Sequence, residues 1–120
     1  MGDFKHLRAW QEARRFAALS ATAIAKLPPH ERYALADQWR RAAYSVTLNL
    51  AEGTGRRGAK EFRRYLDFAL SSLHEMEAIL ELIDDLRYLS VPEMAELKAS
   101  RANCARMVFG LIRMLKRRDA

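Results

Sequence analysis

A stripe of apolar residues at alternating spacings of three and four constrains the fold of this chain more than any other feature. The stripe consists of Phe62, Leu66, Ala69, Leu73, Met76, Leu80 and Ile83. Residues at this spacing lie on one face of an α-helix, and the pattern continues through three heptads. The sequence therefore predicts a long amphipathic helix over residues 59–87 that packs its apolar face against other helices.

Three other segments show the same helical periodicity, over residues 7–27, 30–52 and 91–117. Two consecutive prolines follow the first segment, and proline cannot continue a helix. Gly53 follows the second segment, where we predict a left-handed residue that ends the helix. The segment over residues 91–117 opens on a capping motif at residues 90–93. There the serine hydroxyl and the glutamate carboxylate can each accept a hydrogen bond from the other residue's backbone amide. The chain thus carries start and stop signals for four separate helices.

The same periodicity assigns directions to individual side chains. The predicted inward face of the first helix runs through Trp10, Ala13, Ala17, Ser20, Ile24 and Leu27. On the fourth helix, Arg101 interrupts the inward face. Its side chain either lies along the surface with its charged head in water or forms an ion pair at an interface between subunits.

Short connections join the predicted helices, so consecutive helices are expected to run antiparallel. The 120 residues suffice for one compact domain but not for two. We therefore predict a single all-α domain over residues 1–120, folded as an up-down-up-down four-helix bundle. The single cysteine excludes an intramolecular disulfide, and the amino terminus lacks the apolar stretch of a signal peptide. No apolar run approaches the roughly 18 residues of a membrane-spanning helix. We expect a cytoplasmic protein without a membrane partner.

This topology concentrates positive charge at one end of the bundle. The whole chain has a formal net charge of +6. Residues 1–15, 52–67 and 106–120 meet at one end and together carry +8. At the other end, residues 26–37 are neutral and residues 75–98 carry −5. A cationic surface of this kind is typical of proteins that bind nucleic-acid phosphates.

We predict that nine cationic side chains at this end form a nucleic-acid interface. They are Arg56, Arg57, Lys60, Arg63, Arg64, Arg113, Lys116, Arg117 and Arg118. The cations of the last helix have a second explanation, because the negative end of a helix dipole favours positive charge. Residues 56–64, however, lie around a helix N-terminus, where the dipole disfavours cations. An anionic partner or a neighbouring carboxylate such as Glu52 has to account for them.

The connection between the second and third helices matches the dinucleotide-binding pattern G-x-G-x-x-G. It reads Gly53-Thr54-Gly55-Arg56-Arg57-Gly58. That fingerprint has to follow a strand and open a βαβ unit, whereas here it follows a helix in a chain without a credible strand. We therefore interpret the glycines as residues that end one helix and turn the chain. A weaker hypothesis is that the free backbone amides at the start of the third helix, together with the two arginines beside them, bind a phosphate.

A polar stripe runs beside the apolar face of the second helix. Its members are Gln38, Arg41, Ser45, Asn49 and Glu52, followed by Gly53. Small polar groups at this position can form hydrogen bonds with a neighbouring helix, either within the bundle or across subunits, and we favour that structural role. A site for an anion or a partner is the alternative.

Catalytic and metal-binding patterns are weak in this sequence. His6, His30 and His74 are far apart, and the sequence contains no H-E-x-x-H, C-x-x-C or Glu-x-x-His motif of a zinc or di-iron site. Cys104 falls on the apolar face of the fourth helix, as expected for an inert core thiol. We expect neither a metal nor a cofactor, and we predict a protein that is not an enzyme.

Several motifs together resemble a known family. They are Phe4-x-x-Leu7-x-x-Trp10-x-x-Ala13, Gln38-x-x-Arg41-Ala42-x-x-Ser45-Val46-x-x-Asn49-Leu50-Ala51-Glu52-Gly53, Glu61-Phe62 and Ala69-x-Ser71-x-x-x-Glu75. This pattern is similar to that of the four-helix-bundle proteins encoded in intervening sequences of bacterial 23S ribosomal RNA genes. The resemblance covers nearly the whole chain.

The resemblance implies a bundle that assembles into a ring-shaped homopentamer. It also implies a relation to the accessory variability protein of diversity-generating retroelements, a basic pentamer that binds nucleic acid and reverse transcriptase. It supplies no catalytic residues. Our leading hypothesis is a non-enzymatic homo-oligomer whose basic end binds RNA or DNA. The alternatives are a protein–protein scaffold without a nucleic-acid ligand and, less favoured, an enzyme whose site the sequence does not disclose.

Overall fold

The computed structural model describes residues 3–119, with Asp119 described by its backbone alone, and contains four α-helices in that range. These are α1 (Arg8–Ile24), α2 (Leu35–Thr54), α3 (Gly58–Leu86) and α4 (Val91–Asp119). Short 3-10 turns, Phe4–His6 and Pro29–Glu31, precede α1 and α2, and residues 3–119 contain no β-strand. The predicted all-α four-helix bundle is confirmed.

Each helix packs against its two neighbours around the bundle. The contacts join α1 to α2, α2 to α3, α3 to α4, and α4 back to α1, and the bundle measures 47 × 22 × 21 Å. The four helices therefore occupy the corners of a square in chain order, as the short connections predicted. No helix within residues 3–119 combines the length and the apolar character that a membrane crossing requires.

The core consists of two clusters along the bundle axis. One cluster contains the large side chains Phe16 and Trp39, packed with residues of α3 such as Ile83. The other contains small residues of α1, including Ala13, together with Leu50 of α2 and further residues of α3 and α4. The apolar stripe of α3 is buried from Leu66 to Ile83, while Phe62 is half-buried.

The inward face of α1 differs from the predicted one. Its buried residues are Ala9, Ala13, Phe16, Ser20, Ala23 and Ile24. Trp10 and Ala17 are only half-buried. Trp10 instead packs its ring edge-on against Phe4, with 4.9 Å between the ring centroids. The helix is therefore rotated relative to the prediction, because the large indole packs on the amino-terminal turn and small alanines fill the space between helices.

Several helix ends also differ from the prediction, and α1 ends at Ile24, three residues before the predicted end at residue 27. α2 begins at Leu35 instead of residue 30, because Pro29 and the two residues after it form a 3-10 turn. Gly53 does not end α2, which continues to Thr54, and its backbone is not left-handed. Gly53 is needed for close packing: a Cβ atom there would lie 2.9 Å from Cβ of Tyr65 and 3.0 Å from Cδ1 of Phe62.

Arg101 does not extend its charged head into water. Its side chain is 14% exposed, and its guanidinium donates a hydrogen bond to the backbone carbonyl of Leu73 at 3.1 Å. A carboxylate oxygen of Glu77 lies 3.8 Å away. Arg101 therefore ties α4 to α3 within one chain, because the rotation of α4 turns this position into the contact between the two helices.

Candidate nucleic-acid interface

Three separate segments meet at one end of the bundle, which we call the basic pole. It comprises the amino-terminal turn, the α2–α3 connection with the start of α3, and the last turns of α4. A groove of about 450 Å³ is lined by residues of all three segments. His6, Arg56, Phe62 and Arg118 are among the residues that line this groove. The structure thus brings together cations that are 62 positions apart in the sequence.

A second groove of about 310 Å³ lies between the start of α3 and the end of α4. Its lining includes the cations Lys60, Arg63, Arg64 and Lys116 and the acids Glu61 and Asp67. Arg57, the residue that precedes α3, is exposed, as is Arg117. Arg113 stands apart from both grooves: it lines a third one between α3 and α4, and its guanidinium lies 5.7 Å from the ring centroid of Phe109.

The arginines of the basic pole are held by nearby carboxylates. Arg56 pairs with Glu52 at 2.7 Å, and Arg64 pairs with Glu61 at 3.5 Å. Each pair joins residues three or four apart along the chain, and all four side chains are well exposed. Such surface pairs contribute only about 0–1 kcal/mol. They orient the guanidinium groups without removing them from the solvent.

Two arginines also lie over aromatic rings. The guanidinium of Arg56 is 5.0 Å from the ring centroid of Tyr65, and that of Arg64 is 5.8 Å from the same ring and 5.4 Å from Phe68. The rings of Tyr65 and Phe68 meet edge-on at 5.5 Å. We call these four residues the arginine–aromatic cluster. Neither ring was predicted from the sequence as part of the site, although their spacing of three beside Arg64 is a usable signal.

The start of α3 leaves its first amides without a side-chain cap. Arg57 precedes the helix in an extended conformation, and its side chain makes no capping hydrogen bond. Gly58 has φ +83°, a conformation that glycine adopts without strain, and it turns the chain sharply into α3. The glycine pattern of this connection is thus explained by the turn at Gly58 and by the close helix packing at Gly53.

The polar stripe of α2 lies along the contact with α3. Gln38 donates to Glu75 at 3.0 Å, and the hydroxyl of Ser45 bonds to that of Ser72. Asn49 donates to the carbonyl of Ser45 at 2.8 Å. The remaining two members point elsewhere: Arg41 pairs with Asp37 on the exposed surface and Glu52 with Arg56.

The other titratable groups are dispersed or deeply buried. Burial is the main cause that raises the pKa of the Cys104 thiol to about 12, and the nearby Glu12 carboxylate raises it further. Its thiol donates to the carbonyl of Ala9 at 3.7 Å, so it behaves as part of the core. Within residues 3–119, the His, Cys, Asp and Glu side chains form no group of three or more that could hold a metal ion.

Comparison with known proteins relates this architecture to a family. A crystal structure of a protein of unknown function from the S23 ribosomal protein family of Bacteroides thetaiotaomicron superposes with a TM-score of 0.81. The alignment covers 87% of this chain and 97% of that chain at 18% identity, so it shows a shared fold. The family model of the 23S rRNA-intervening sequence protein matches residues 5–110. The chain belongs to this family. No curated protein matches the sequence.

The range matched by the 23S rRNA-intervening sequence protein family model includes only part of the basic pole. Residues 56–64 and the arginine–aromatic cluster lie inside the matched range. Arg113, Lys116, Arg117 and Arg118 lie beyond its end at residue 110. The two sets of cations nevertheless line the same grooves, since Arg118 shares one with Arg56 and Lys116 shares the other with Lys60.

Proposed function

We propose that this 23S rRNA-intervening sequence family protein is a non-catalytic homo-oligomeric module that binds RNA or DNA through phosphate contacts at its basic pole. The observation that carries the proposal is the convergence of cations from distant segments in adjoining grooves. Arg56 and Arg118 share one groove, and Lys60, Arg63 and Lys116 share the next. Such an array can contact several phosphates along a nucleic-acid backbone. Each contact releases condensed counterions and so adds to the affinity.

The electrostatics of the fold favour an external anion at this site. The cations around the start of α3 oppose the helix dipole there, so the fold alone gains little from them. Their partners Glu52 and Glu61 are exposed, and exposed ion pairs contribute about 0–1 kcal/mol. A phosphate can therefore replace either carboxylate at small cost, and the bidentate geometry of a guanidinium suits phosphate oxygens.

Binding of labelled RNA and DNA oligonucleotides across a salt series tests this proposal. We expect log affinity to fall linearly with log salt concentration, with a slope of about 0.7–0.9 per phosphate contacted. A variant with Ala in place of Arg56, Arg57, Arg63 and Arg64 is expected to bind more weakly and with a shallower slope.

A matched control removes four exposed cations away from the basic pole, namely Arg32, Arg40, Arg41 and Arg87. Both variants lose the same net charge, so a general loss of attraction affects them equally. The proposal is wrong if the protein binds no oligonucleotide at low salt. It is also wrong if the two variants lose affinity to the same extent.

A specific observation favours a second function, an oligomeric scaffold without a nucleic-acid ligand. Phe109 and Met114 are exposed on the outer side of α4, and Gly110 lies between them with open space where a Cβ would be. Grooves flank Gly110 on both sides, one towards α1 and one towards α3. An exposed glycine beside apolar side chains permits close approach of a helix from another subunit.

Light scattering distinguishes the scaffold from the nucleic-acid module. If the wild-type protein is a monomer at micromolar concentration, the scaffold function and the oligomeric part of the leading proposal both fail. Replacing Phe109 and Met114 with Glu is expected to dissociate an oligomer built on this surface, because buried unpaired carboxylates are costly. If the dissociated variant keeps full nucleic-acid affinity, binding does not require assembly.

A further inference from the structure

The arginine–aromatic cluster presents more apolar surface than the fold requires. Phe68 is 42% exposed on the outer side of α3, and Leu48 of α2 is 68% exposed. Gly53 faces Tyr65 and Ser45 faces Ser72, so the antiparallel register of the two helices places Leu48 level with Phe68. Arg56 lies over the Tyr65 ring and lines a groove with Leu48, so cationic side chains border exposed apolar side chains at the contact between α2 and α3.

We propose that this cluster stacks unpaired bases, so that the ligand of the basic pole is a single-stranded nucleic acid. The inference rests on the proposed nucleic-acid function and names its ligand class. Bases of a duplex are stacked on each other and cannot reach a protein ring, whereas the bases of a single strand can. Aromatic rings and guanidinium planes are the surfaces on which such bases stack.

The geometry of the cluster suits this role. Arg56 lies 5.0 Å from the Tyr65 ring and Arg64 lies 5.4 Å from the Phe68 ring, so each guanidinium is already positioned on an aromatic surface. A base can stack on the outer plane of a guanidinium or on the exposed part of Phe68. The long arginine side chains lose less freedom on binding, because the rings and carboxylates already restrict them.

Phosphate contacts and stacking surfaces lie next to each other along α3. Lys60 precedes Phe68 by eight residues, which is about 12 Å along the helix axis. Lys60 and Arg64 line the groove shared with Lys116 of α4, and Arg64 also belongs to the cluster. One short strand can therefore place its phosphates in the groove and its bases on the rings.

The charge of this surface favours a nucleic acid over a second copy of the chain. The cores of protein–protein interfaces are depleted of charged residues. Here Arg56 and Arg64 lie directly over the aromatic rings, so a partner that covers these rings also meets two guanidinium groups. Basic grooves interleaved with aromatic side chains are instead typical of proteins that bind single strands without sequence preference.

The first test uses the wild-type protein and three DNA probes that carry matched numbers of phosphates. These are a single strand of mixed sequence, a duplex of half its length that carries the same number of phosphates, and a single strand whose central nucleotides are abasic. We expect the mixed single strand to bind about five- to 150-fold more tightly than the abasic strand for each base stacked. The duplex should also bind more weakly than the mixed single strand.

The second test replaces Tyr65 and Phe68 with Leu, which keeps apolar bulk and helix propensity but removes the rings. We expect the variant to bind the mixed single strand as weakly as the abasic strand, with duplex binding unchanged. Replacing Tyr33 with Leu is the control, because this ring is exposed, carries the guanidinium of Arg32 and lies outside the cluster. This control should bind all three probes as the wild type does.

The outcomes separate the two proposals. If the wild type binds the mixed and abasic single strands equally, stacking is excluded while phosphate binding stands. If it binds none of the probes at low salt, the proposed function itself fails. If the Tyr65 and Phe68 variant changes the molar mass measured by light scattering, the surface is a subunit contact and the stacking proposal is overturned.

Discussion

The two ends of this bundle use their charged side chains in different ways. We call the end that carries the α1–α2 and α3–α4 connections the acidic pole. There, Lys26 of the α1–α2 connection bonds to Glu93 of α4. Lys98 of α4 contacts Glu81 at 3.0 Å and Asp84 at 2.8 Å, both on α3. These contacts join different elements of the fold, so the charges of the acidic pole hold the helices together.

At the basic pole, the ion pairs of Arg56 and Arg64 are local. Arg56 pairs with Glu52 four residues away, and Arg64 pairs with Glu61 three residues away. Local pairs of this kind add little to the stability of the fold and leave the guanidinium groups exposed. Net charge alone is therefore a poor guide to the location of a ligand-binding site. The location of the partners decides whether a charge serves the fold or remains available to a ligand.

The core shows a parallel difference between the two ends. The cluster that includes Leu97 and Met94 near the acidic pole contains the large buried side chains Trp39 and Phe16. The cluster near the basic pole has no aromatic member among its buried residues in the described part of the chain, and its largest buried side chains include Leu50, Leu66 and Leu73. We therefore expect stability to depend most on the cluster near the acidic pole.

Replacing Trp39 with Ala is expected to have the largest effect, a loss of about 3–5 kcal/mol in the free energy of unfolding. The indole is fully buried, so its removal leaves a cavity that the neighbouring helices cannot close. Urea denaturation followed by circular dichroism measures the effect. Tyr33→Ala is the control, since this side chain is 85% exposed and the change should stay within about 0.5 kcal/mol. A loss below about 1 kcal/mol for Trp39→Ala would refute the assignment of the main core.

Glycine-to-alanine changes at Gly53 and Gly110 are expected to shift stability in opposite directions. At Gly53 the new Cβ would press on Tyr65, which is expected to cost about 1–3 kcal/mol because the helix backbones must separate. At Gly110 the Cβ meets open space, and alanine should stabilise the helix by about 0.5–1 kcal/mol. Thermal unfolding measures both. Equal stabilisation by the two substitutions would contradict the packing role of Gly53.

Reversing the charge of one lysine at each pole tests whether the cations of the two poles have different roles. Lys60 lies in the first turn of α3, where a glutamate interacts favourably with the helix dipole. We expect Lys60→Glu to stabilise the fold by about 0.3–1 kcal/mol and to weaken nucleic-acid binding. Lys98→Glu changes the net charge equally but removes two contacts to α3, so it should destabilise the fold and affect binding less.

Chemical denaturation and oligonucleotide binding, measured on both lysine variants, check this prediction. Opposite signs of the stability change would show that the cations of the two poles have different roles. If Lys60→Glu destabilises the protein as much as Lys98→Glu does, the cations of the basic pole contribute to the fold and the comparison fails.

The sequence predicted the fold well where one signal acted alone. The stripe of α3 and the capping pair Ser90 and Glu93 are determined by local geometry, and the structure contains both. The amide of Glu93 donates to the hydroxyl of Ser90 at 3.3 Å, and the amide of Ser90 donates to the carboxylate of Glu93 at 3.0 Å. The order of the helices then followed from their short connections. The meeting of three segments at one end followed in turn from that order.

Other features depended on how the helices are rotated against each other, which no local pattern determines. Gly53 has the same sequence signature whether it ends a helix or permits close packing. Arg101 faces α3 because of the rotation of α4. The contact between Arg56 and Tyr65 joins the α2–α3 connection to α3, so it depends on the path of that connection as well as on the local sequence. The candidate site was therefore predictable in its location and charge, but not in its aromatic component.

The smallest expected effect concerns the acidic pole and its dependence on pH. The hydrogen bond from Lys26, followed by those from Ser90, lowers the pKa of Glu93 from 4.5 to about 2. Because the folded state holds the proton less tightly than the unfolded state, the ionised carboxylate stabilises the fold above about pH 4.5. That contribution is lost as the pH falls towards 2.

We therefore expect Glu93→Gln to be less stable than the wild type at pH 7, and the gap to narrow between pH 4.5 and about 2. Urea denaturation at a series of pH values measures the gap. Lys26→Met is the companion variant: it removes the largest cause of the shift, so an NMR titration should find the pKa of Glu93 higher in it than in the wild type. A gap that stays constant down to pH 2 would mean that Glu93 acts through its shape and hydrogen bonds and not through its charge. In that case the acidic pole would not be held together by cross-helix ion pairing at this position, and the contrast with the basic pole would rest on Lys98 alone.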